Sequence, residues 1–185
     1  ALQGASLAHV SLVTGTKQYL GAFENYGSGK TETPFRESAP RVPGENFYYT
    51  LEDIMFATAE RDGFSWNVHR PHTVIGYARG NAMNMGVTLA VYASICKATG
   101  QPFTFPGSQV QWNALTDLTD SLVLARQMEW AATTPGAHNE AFNTVNGDVF
   151  RWRRLWHEIG EFFELEVADC PETPQPLETQ MADIA

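Results

Sequence analysis

The feature that most constrains this chain is a helix that ends on a glycine and hands straight over to a strand. From Asn46 to about Arg61, Phe47, Leu51, Ile54, Met55 and Thr58 recur at steps of three and four residues, the period of an amphipathic helix. Asp62-Gly63 supplies a glycine stop, and Phe64-Ser65-Trp66-Asn67-Val68 then alternates as a half-buried strand does. That strand runs into His69-Arg70-Pro71-His72-Thr73-Val74-Ile75-Gly76. Helix, tight turn, strand and glycine-containing loop make half of a βαβ unit. Such a chain folds as α/β with a parallel sheet, and the apolar stripe of the helix is expected to anchor it there.

The rest of the chain keeps to that grammar. His9-Val10-Ser11-Leu12-Val13 reads as a strand, followed by the turn Thr14-Gly15-Thr16 and by Lys17. Gly21 to Glu45 is rich in Gly, Pro, Ser and charge, a long loop of the kind that usually serves function. Met83 to Thr99 reads as an apolar helix buried on most of its surface, and Pro102 to Gly107 as a short strand between prolines. Leu118 to Ala132 is a second amphipathic helix, with Leu122, Ala125, Met128 and Glu129 in step. Glu140–Val145 is a strand closed by Asn146-Gly147, and Phe150 to Leu165 an aromatic-rich helix that opens on Arg151, Arg153 and Arg154. From Ala168 the chain turns acidic and proline-rich at Pro171, Pro174 and Pro176, which predicts an exposed, loosely ordered tail over residues 168–185 after one domain over 1–167.

Composition narrows the function classes. A chain of 185 residues, 43% of them hydrophobic, can bury a sizeable core. A net charge of −9 argues against a nucleic-acid or anionic-membrane surface, either of which needs a basic patch. Cys96 and Cys170 have no metal-ligand spacing and are too few for a disulfide framework. No apolar run approaches the roughly 20 residues of a membrane span, and no basic-then-apolar leader is present. A cytoplasmic setting is therefore the expectation.

Two motifs mislead. Gly27-Ser28-Gly29-Lys30-Thr31 looks like a phosphate-binding loop, but the glycine required further upstream is Glu24, whose carboxylate would repel phosphate. Tyr26 to Lys30 matches the Tyr-x-x-x-Lys of ordinary short-chain dehydrogenases, yet Gly27 and Gly29 make the helix that motif depends on costly. His69 and His72 have no further ligand-type residues around them. Tyr48, in the first turn of its helix, can point past the helix end into a site. Neither Tyr48 nor Tyr49 is followed four residues later by a lysine; those positions hold Glu52 and Asp53. A cation for Tyr48 must come from elsewhere, and Lys17 follows a strand end, where ligands of open α/β sheets bind.

Three segments in order carry a resemblance: Val13-Thr14-Gly15-Thr16-Lys17-Gln18-Tyr19-Leu20-Gly21-Ala22-Phe23-Glu24, Asn46-Phe47-Tyr48-Tyr49-Thr50-Leu51-Glu52-Asp53, and Val68-His69-Arg70-Pro71. From about residue 5 to about residue 165 the chain resembles the progesterone 5β-reductase/iridoid synthase-like family of short-chain dehydrogenases/reductases. The resemblance implies the C-terminal half of a Rossmann-type doubly wound parallel sheet, plus the small substrate-binding region of an extended short-chain dehydrogenase. It also implies NADPH-dependent reduction of the activated C=C bond of an α,β-unsaturated carbonyl, with Tyr48 and Lys17 as catalytic pair. Thr14, Lys17, Tyr48, Val74, Asn81, Ala82 and Met83 fall on cofactor positions, and Phe23 on a substrate position. Between Gly76 and Asn81 the family's Ser-Pro stretch is replaced by Tyr77-Ala78-Arg79-Gly80.

The glycine turn that seats a dinucleotide pyrophosphate does not occur in these residues, so the chain reads as the second half of such an enzyme, expected to bind NADPH weakly by itself. The expected partner is a small-molecule enone rather than nucleic acid or membrane, and a homodimer is the candidate assembly. Two other readings stay open at this point. One is an extended short-chain dehydrogenase acting on a carbonyl or sugar nucleotide; the other is a non-catalytic remnant serving as a binding module.

Overall fold

The computed structural model describes residues 6–21, 32–81 and 83–182. In chain order the elements are β1 (His9–Val13), α1 (Lys17–Leu20), α2 (Phe47–Asp62), β2 (Ser65–Pro71), β3 (Val74–Ile75), α3 (Met85–Thr99), α4 (Gln109–Asn113) and β4 (Leu115–Thr116). Then come β5 (Thr119–Asp120), α5 (Ser121–Thr133), a 3-10 turn (Pro135–Ala137), β6 (Glu140–Thr144), β7 (Phe150–Arg151), α6 (Trp152–Phe163) and α7 (Leu177–Met181). They form two units, one drawn from Ala1–His72 and Thr119–Asn146, the other from Thr73–Leu118 and Gly147–Ala185.

The first unit is a parallel sheet in the order β1-β2-β6, with Leu12 beside Val68 and Val68 beside Ala141. Parallel strands are covered on both faces. On one face Val10, Leu12, Trp66, Val68 and Ala141 pack against Met55, Phe56, Ala59 and Phe64. The other face, by the alternation of the strands, carries Asn67, His69 and Phe142, and meets α5 where Trp130 stands edge-on to Phe142 at 5.4 Å. Asn46 caps α2 by accepting the Tyr48 N–H, and Gly63 ends it at φ 78°, a left-handed conformation suited to glycine.

The face that α2 buries is only in part the one its apolar stripe predicts, since Met55 is the one stripe member that is buried. Tyr49, Glu52, Met55 and Ala59 are buried, while Phe47, Leu51 and Ile54 are 57%, 42% and 61% exposed. Both sets have helical spacing; the buried one holds a carboxylate whose charge is met by arginines, so a polar letter lies on the core side. The register of α5 is displaced for a related reason. Asp120 accepts the Leu122 and Val123 N–H groups as N-cap, so the helix starts at Ser121 and buries Leu124 and Ala131, leaving Leu122 exposed.

The second unit is built on aromatic packing. Tyr92, Ala93 and Cys96 of α3 meet Phe103, Phe105 and Trp156, with Phe103 and Trp156 stacked at 4.1 Å. Trp156 donates its indole N–H to the Phe103 carbonyl at 3.1 Å, which satisfies the one polar atom of a fully buried side chain. α3 buries that one face, while Val87 and Val91 on another are about half exposed. Phe103 bridges to Val167, and β4 pairs antiparallel with β7, so the predicted helix from Phe150 begins two residues later. The acidic segment after Ala168 carries α7, whose Leu177 and Met181 pack on this core while the Gln180 Oε1 lies 2.6 Å from the Tyr92 hydroxyl. Among the described residues, no helix is long and apolar enough to cross a membrane.

Candidate active site

The site of the first unit grows from the C-terminal ends of β1 and β2. Beyond Val13 the Thr14 N–H donates to the His69 carbonyl at 2.8 Å, extending the ladder by one step. The Thr14 hydroxyl, itself buried, points at the same carbonyl from 3.4 Å. Gly15 follows, and then the single turn of α1 that opens with Lys17. A Cβ on Gly15 would stand 3.4 Å from the Pro71 carbonyl and 3.9 Å from both the Cε2 and the hydroxyl of Tyr48. The Tyr48 phenol therefore lies directly over the strand ends, and the bare Gly15 backbone leaves room beside it.

Lys17 reaches the rings of Tyr48 and its neighbour Phe47. Its Nζ stands 5.2 Å from the centre of the Phe47 ring and 5.9 Å from that of Tyr48, while the two rings lie 4.2 Å apart. A cation over aromatic faces is held by their quadrupoles. Around this pair α1 and α2 are joined twice: Asn46 Nδ2 donates to the Lys17 carbonyl at 3.1 Å, and the Tyr49 hydroxyl donates to the Gln18 carbonyl at 2.9 Å. Neither Asn46 nor Tyr49 was singled out by sequence reasoning. Asn46 reads there as the start of a helix and Tyr49 as a neighbour of Tyr48; only the fold reveals that their polar atoms reach α1.

A buried charge network backs α2. Glu52, 2% exposed, accepts from Arg41 at 2.9 Å and lies 3.8 Å from Arg70; Arg41 also reaches Asp53 at 2.8 Å. Burial works against the Arg41 charge, but the hydrogen bonds it donates to Asp53 and Glu52 outweigh that and raise its pKa. Arg41 also lies over the Tyr49 ring, 4.7 Å from its centre, and Arg70 donates to the Tyr19 hydroxyl at 3.3 Å. On the opposite face of the sheet His69 is wholly buried, and burial, followed by the charge of His9, pushes its pKa down.

The remaining sequence-predicted positions divide as follows. Val74 stands in β3 of the second unit and is 38% exposed. Asn81 turns its side-chain oxygen to the Met83 N–H at 3.0 Å, and the Met83 side chain is 91% exposed. Ala82 and Phe23, like Tyr26 and Lys30, lie outside the described residues. Within the second unit a cavity of about 500 Å³ is lined by Ile75, Ala78, Leu89, Leu118, Trp152 and Leu155, an almost wholly apolar wall. Phe103 and Phe105 are core residues of this unit.

Residues 3–183 match the model of the PRISE-like Rossmann-fold domain. The chain is 43% identical over 176 residues to an (S)-8-oxocitronellyl enol synthase of Camptotheca acuminata, covering 94% of this chain and 45% of that protein. It is 44% identical over 162 residues to the 3-oxo-Delta(4,5)-steroid 5-beta-reductase of Arabidopsis thaliana, covering 87% of this chain and 42% of that protein. The chain thus spans about half the length of the curated relatives it matches. Among solved structures, RMD from Pseudomonas aeruginosa complexed with NADPH superposes with a TM-score of 0.62 at 14% identity, over 95% of this chain and 59% of that one. The UDP-glucose 4-epimerase of Thermus thermophilus in complex with NAD gives 0.55 at 15% identity, over 96% and 58%. Likeness at that identity speaks for the fold.

Proposed function

The chain belongs to the PRISE-like Rossmann-fold family, and from that premise we propose that it contributes the catalytic pair of an enzyme that reduces the C=C bond of an α,β-unsaturated carbonyl with NADPH. One observation carries the reading: the Lys17 ammonium and the Tyr48 phenol meet over the C-terminal ends of β1 and β2. That is where open α/β sheets bind their ligands. The residues there suit a dinucleotide, because the strand ends offer a cation, a phenol and a glycine whose missing side chain lets a flat ring approach.

NADPH, when bound, supplies the hydride that the substrate's β-carbon accepts. The chain's own residues manage the charge that results. As the carbon accepts that pair, the electrons of the C=C bond shift toward the carbonyl oxygen, and the Tyr48 hydroxyl donates its hydrogen bond to that oxygen. Lys17, held beside the ring, favours the more electron-rich phenol at that moment and is the residue to contact the cofactor's ribose. Thr14, at the end of β1 in the same unit, would add to the cofactor contacts.

A carbonyl or sugar-nucleotide enzyme would call for a lysine one turn after its tyrosine. That position is Glu52, buried against Arg41 and Arg70, so α2 offers no cation one turn after Tyr48. The test is Tyr48→Phe in the whole enzyme, with NADPH consumption followed against a panel of enones. One oxyanion donor is worth about 3 kcal/mol, so turnover should fall by roughly two to three orders of magnitude. Turnover within a few-fold of the unsubstituted enzyme would remove Tyr48 from the mechanism.

A further inference from the structure

We propose that Asn46 and Tyr49 are positioning residues that set the distance between Lys17 and Tyr48; this rests on the catalytic reading above. The two flank Tyr48 in the sequence and bind the two consecutive peptides that follow the α-carbons of Lys17 and Gln18. Asn46 Nδ2 holds the Lys17 carbonyl at 3.1 Å and the Tyr49 hydroxyl holds the Gln18 carbonyl at 2.9 Å. Each of these groups is used twice. The Asn46 Oδ1 accepts the Tyr48 N–H at 3.1 Å, so one side chain grips the backbone of both members of the pair. The Tyr49 hydroxyl also accepts the Val42 N–H at 3.1 Å, which fixes the phenol from the loop side while Arg41 covers its ring.

This clasp answers a mechanical need. α1 is a single turn with no side-chain cap at its start, and Gly21 closes it with φ 69°. A one-turn helix is poorly stabilised by its own hydrogen bonds, so the position of Lys17 must be imposed from outside. The Lys17 side chain adds four rotatable bonds to any backbone drift. Positioning to a fraction of an ångström therefore requires the main chain at 17 and 18 to be pinned to the helix that carries the phenol. Asn46 and Tyr49 provide two such points on either side of Tyr48. Tyr49 is 9% exposed and its hydroxyl is fully engaged, so this consecutive tyrosine is an anchor and not a second acid.

The experiment reads the position of Lys17 directly. The chain has three lysines, Lys17, Lys30 and Lys97, which reductive methylation with isotopically labelled formaldehyde makes visible by NMR, and Lys17→Arg assigns the signal. Because its Nζ faces two aromatic rings, the Lys17 methyl signal should be displaced by ring currents. Tyr49→Phe keeps the ring over which Arg41 lies and removes both hydroxyl bonds. Asn46→Ser keeps a competent helix cap and removes the amide that reaches Lys17, so it carries the test if the first variant folds poorly. Both should move the Lys17 signal toward the position of a solvated lysine and leave that of Lys97 in place. In the whole enzyme both should lower kcat by between about tenfold and a hundredfold with KM unchanged, the scale of a small misplacement. An unmoved Lys17 signal, or a moved one with kcat intact, overturns the proposal. Normal turnover in Tyr48→Phe would instead strike the catalytic reading, while the NMR signal still decides whether the clasp exists.

Discussion

Replacing Glu52 with glutamine tests the charge network behind α2. Glu52→Gln keeps the shape of the side chain and an acceptor for Arg41 but removes its charge. Arg41 is about a third exposed and keeps Asp53 at 2.8 Å, so its loss is small after solvent screening. Arg70 is the group that suffers: its side chain is 8% exposed and its opposite charge stands 3.8 Å away. At an effective dielectric constant of about 20, unit charges at that separation attract by about 4 kcal/mol. Contacts of Arg70 with the Tyr19 hydroxyl and the Glu37 carbonyl offset part of this. The expected destabilisation is about 3 kcal/mol, the low end of what breaking a buried pair costs. Urea unfolding followed by circular dichroism should show a midpoint roughly 1–3 M lower. Asp53→Asn, at an exposed carboxylate, should cost less than about 0.5 kcal/mol. Substituting both partners, Glu52→Leu with Arg70→Met, should recover most of the loss, because no lone buried charge is left. A loss under about 1 kcal/mol in Glu52→Gln, or a double variant as unstable as the sum of the singles, would refute the account.

Two further outcomes are expected. His9 and His69 both have pKa values held below 6.5, by burial first and then by the facing charges of His138 and His9 respectively, so the unfolded chain binds their protons more readily than the folded one. Their contribution is therefore complete above about pH 6.5 and is lost as pH falls below it; unfolding midpoints should drop from about pH 7 to about pH 5, and His69→Asn should flatten that slope. Gly160→Ala should destabilise by about 1–3 kcal/mol, since the new Cβ would stand 2.2 Å from Cγ2 of Val167. Thermal melting of Gly160→Ala with Val167→Ala should show recovery, and its absence would place the strain elsewhere.

The sheet was legible because its cues are local. Gly63 marks a helix end that only glycine serves well, and the alternation from Phe64 to Val68 announces a strand that indeed runs on to Pro71. The helices α2, α3, α5 and α6 and the strand β6 follow the same kind of signal. The strand expected over residues 102–107, by contrast, is only an isolated bridge from Phe103 to Val167, and the short α4, β4, β5 and β7 had no signal of their own. Burial was less legible, because it depends on partners far away in sequence. Asp120, the last residue of β5, caps α5, and this turns Leu124 rather than Leu122 into the core. The half-exposed Val87 and Val91 of α3 were likewise beyond a reading of the helix alone, since apolarity does not say which face finds a neighbour.

At the site, the decisive letter was one that pattern reading discounts. Glu52 looks like solvent-facing charge, so the stripe of Phe47, Leu51, Ile54, Met55 and Thr58 takes its place as the predicted inner face, of which Met55 alone is buried. Once Arg41 and Arg70 neutralise Glu52, the inner face becomes Tyr49, Glu52, Met55 and Ala59, and α2 is fixed in rotation about its own axis. Neighbouring residues on a helix differ by about 100°. Turning Tyr49 into the sheet therefore carries Tyr48 to the rim, over Gly15 and the Pro71 carbonyl, with Lys17 beside it. Had the apolar stripe faced inward, Tyr49 would have swung away from the Gln18 carbonyl and Tyr48 from the strand ends. The buried carboxylate thus decides which of two consecutive tyrosines can serve the reaction and which one anchors it.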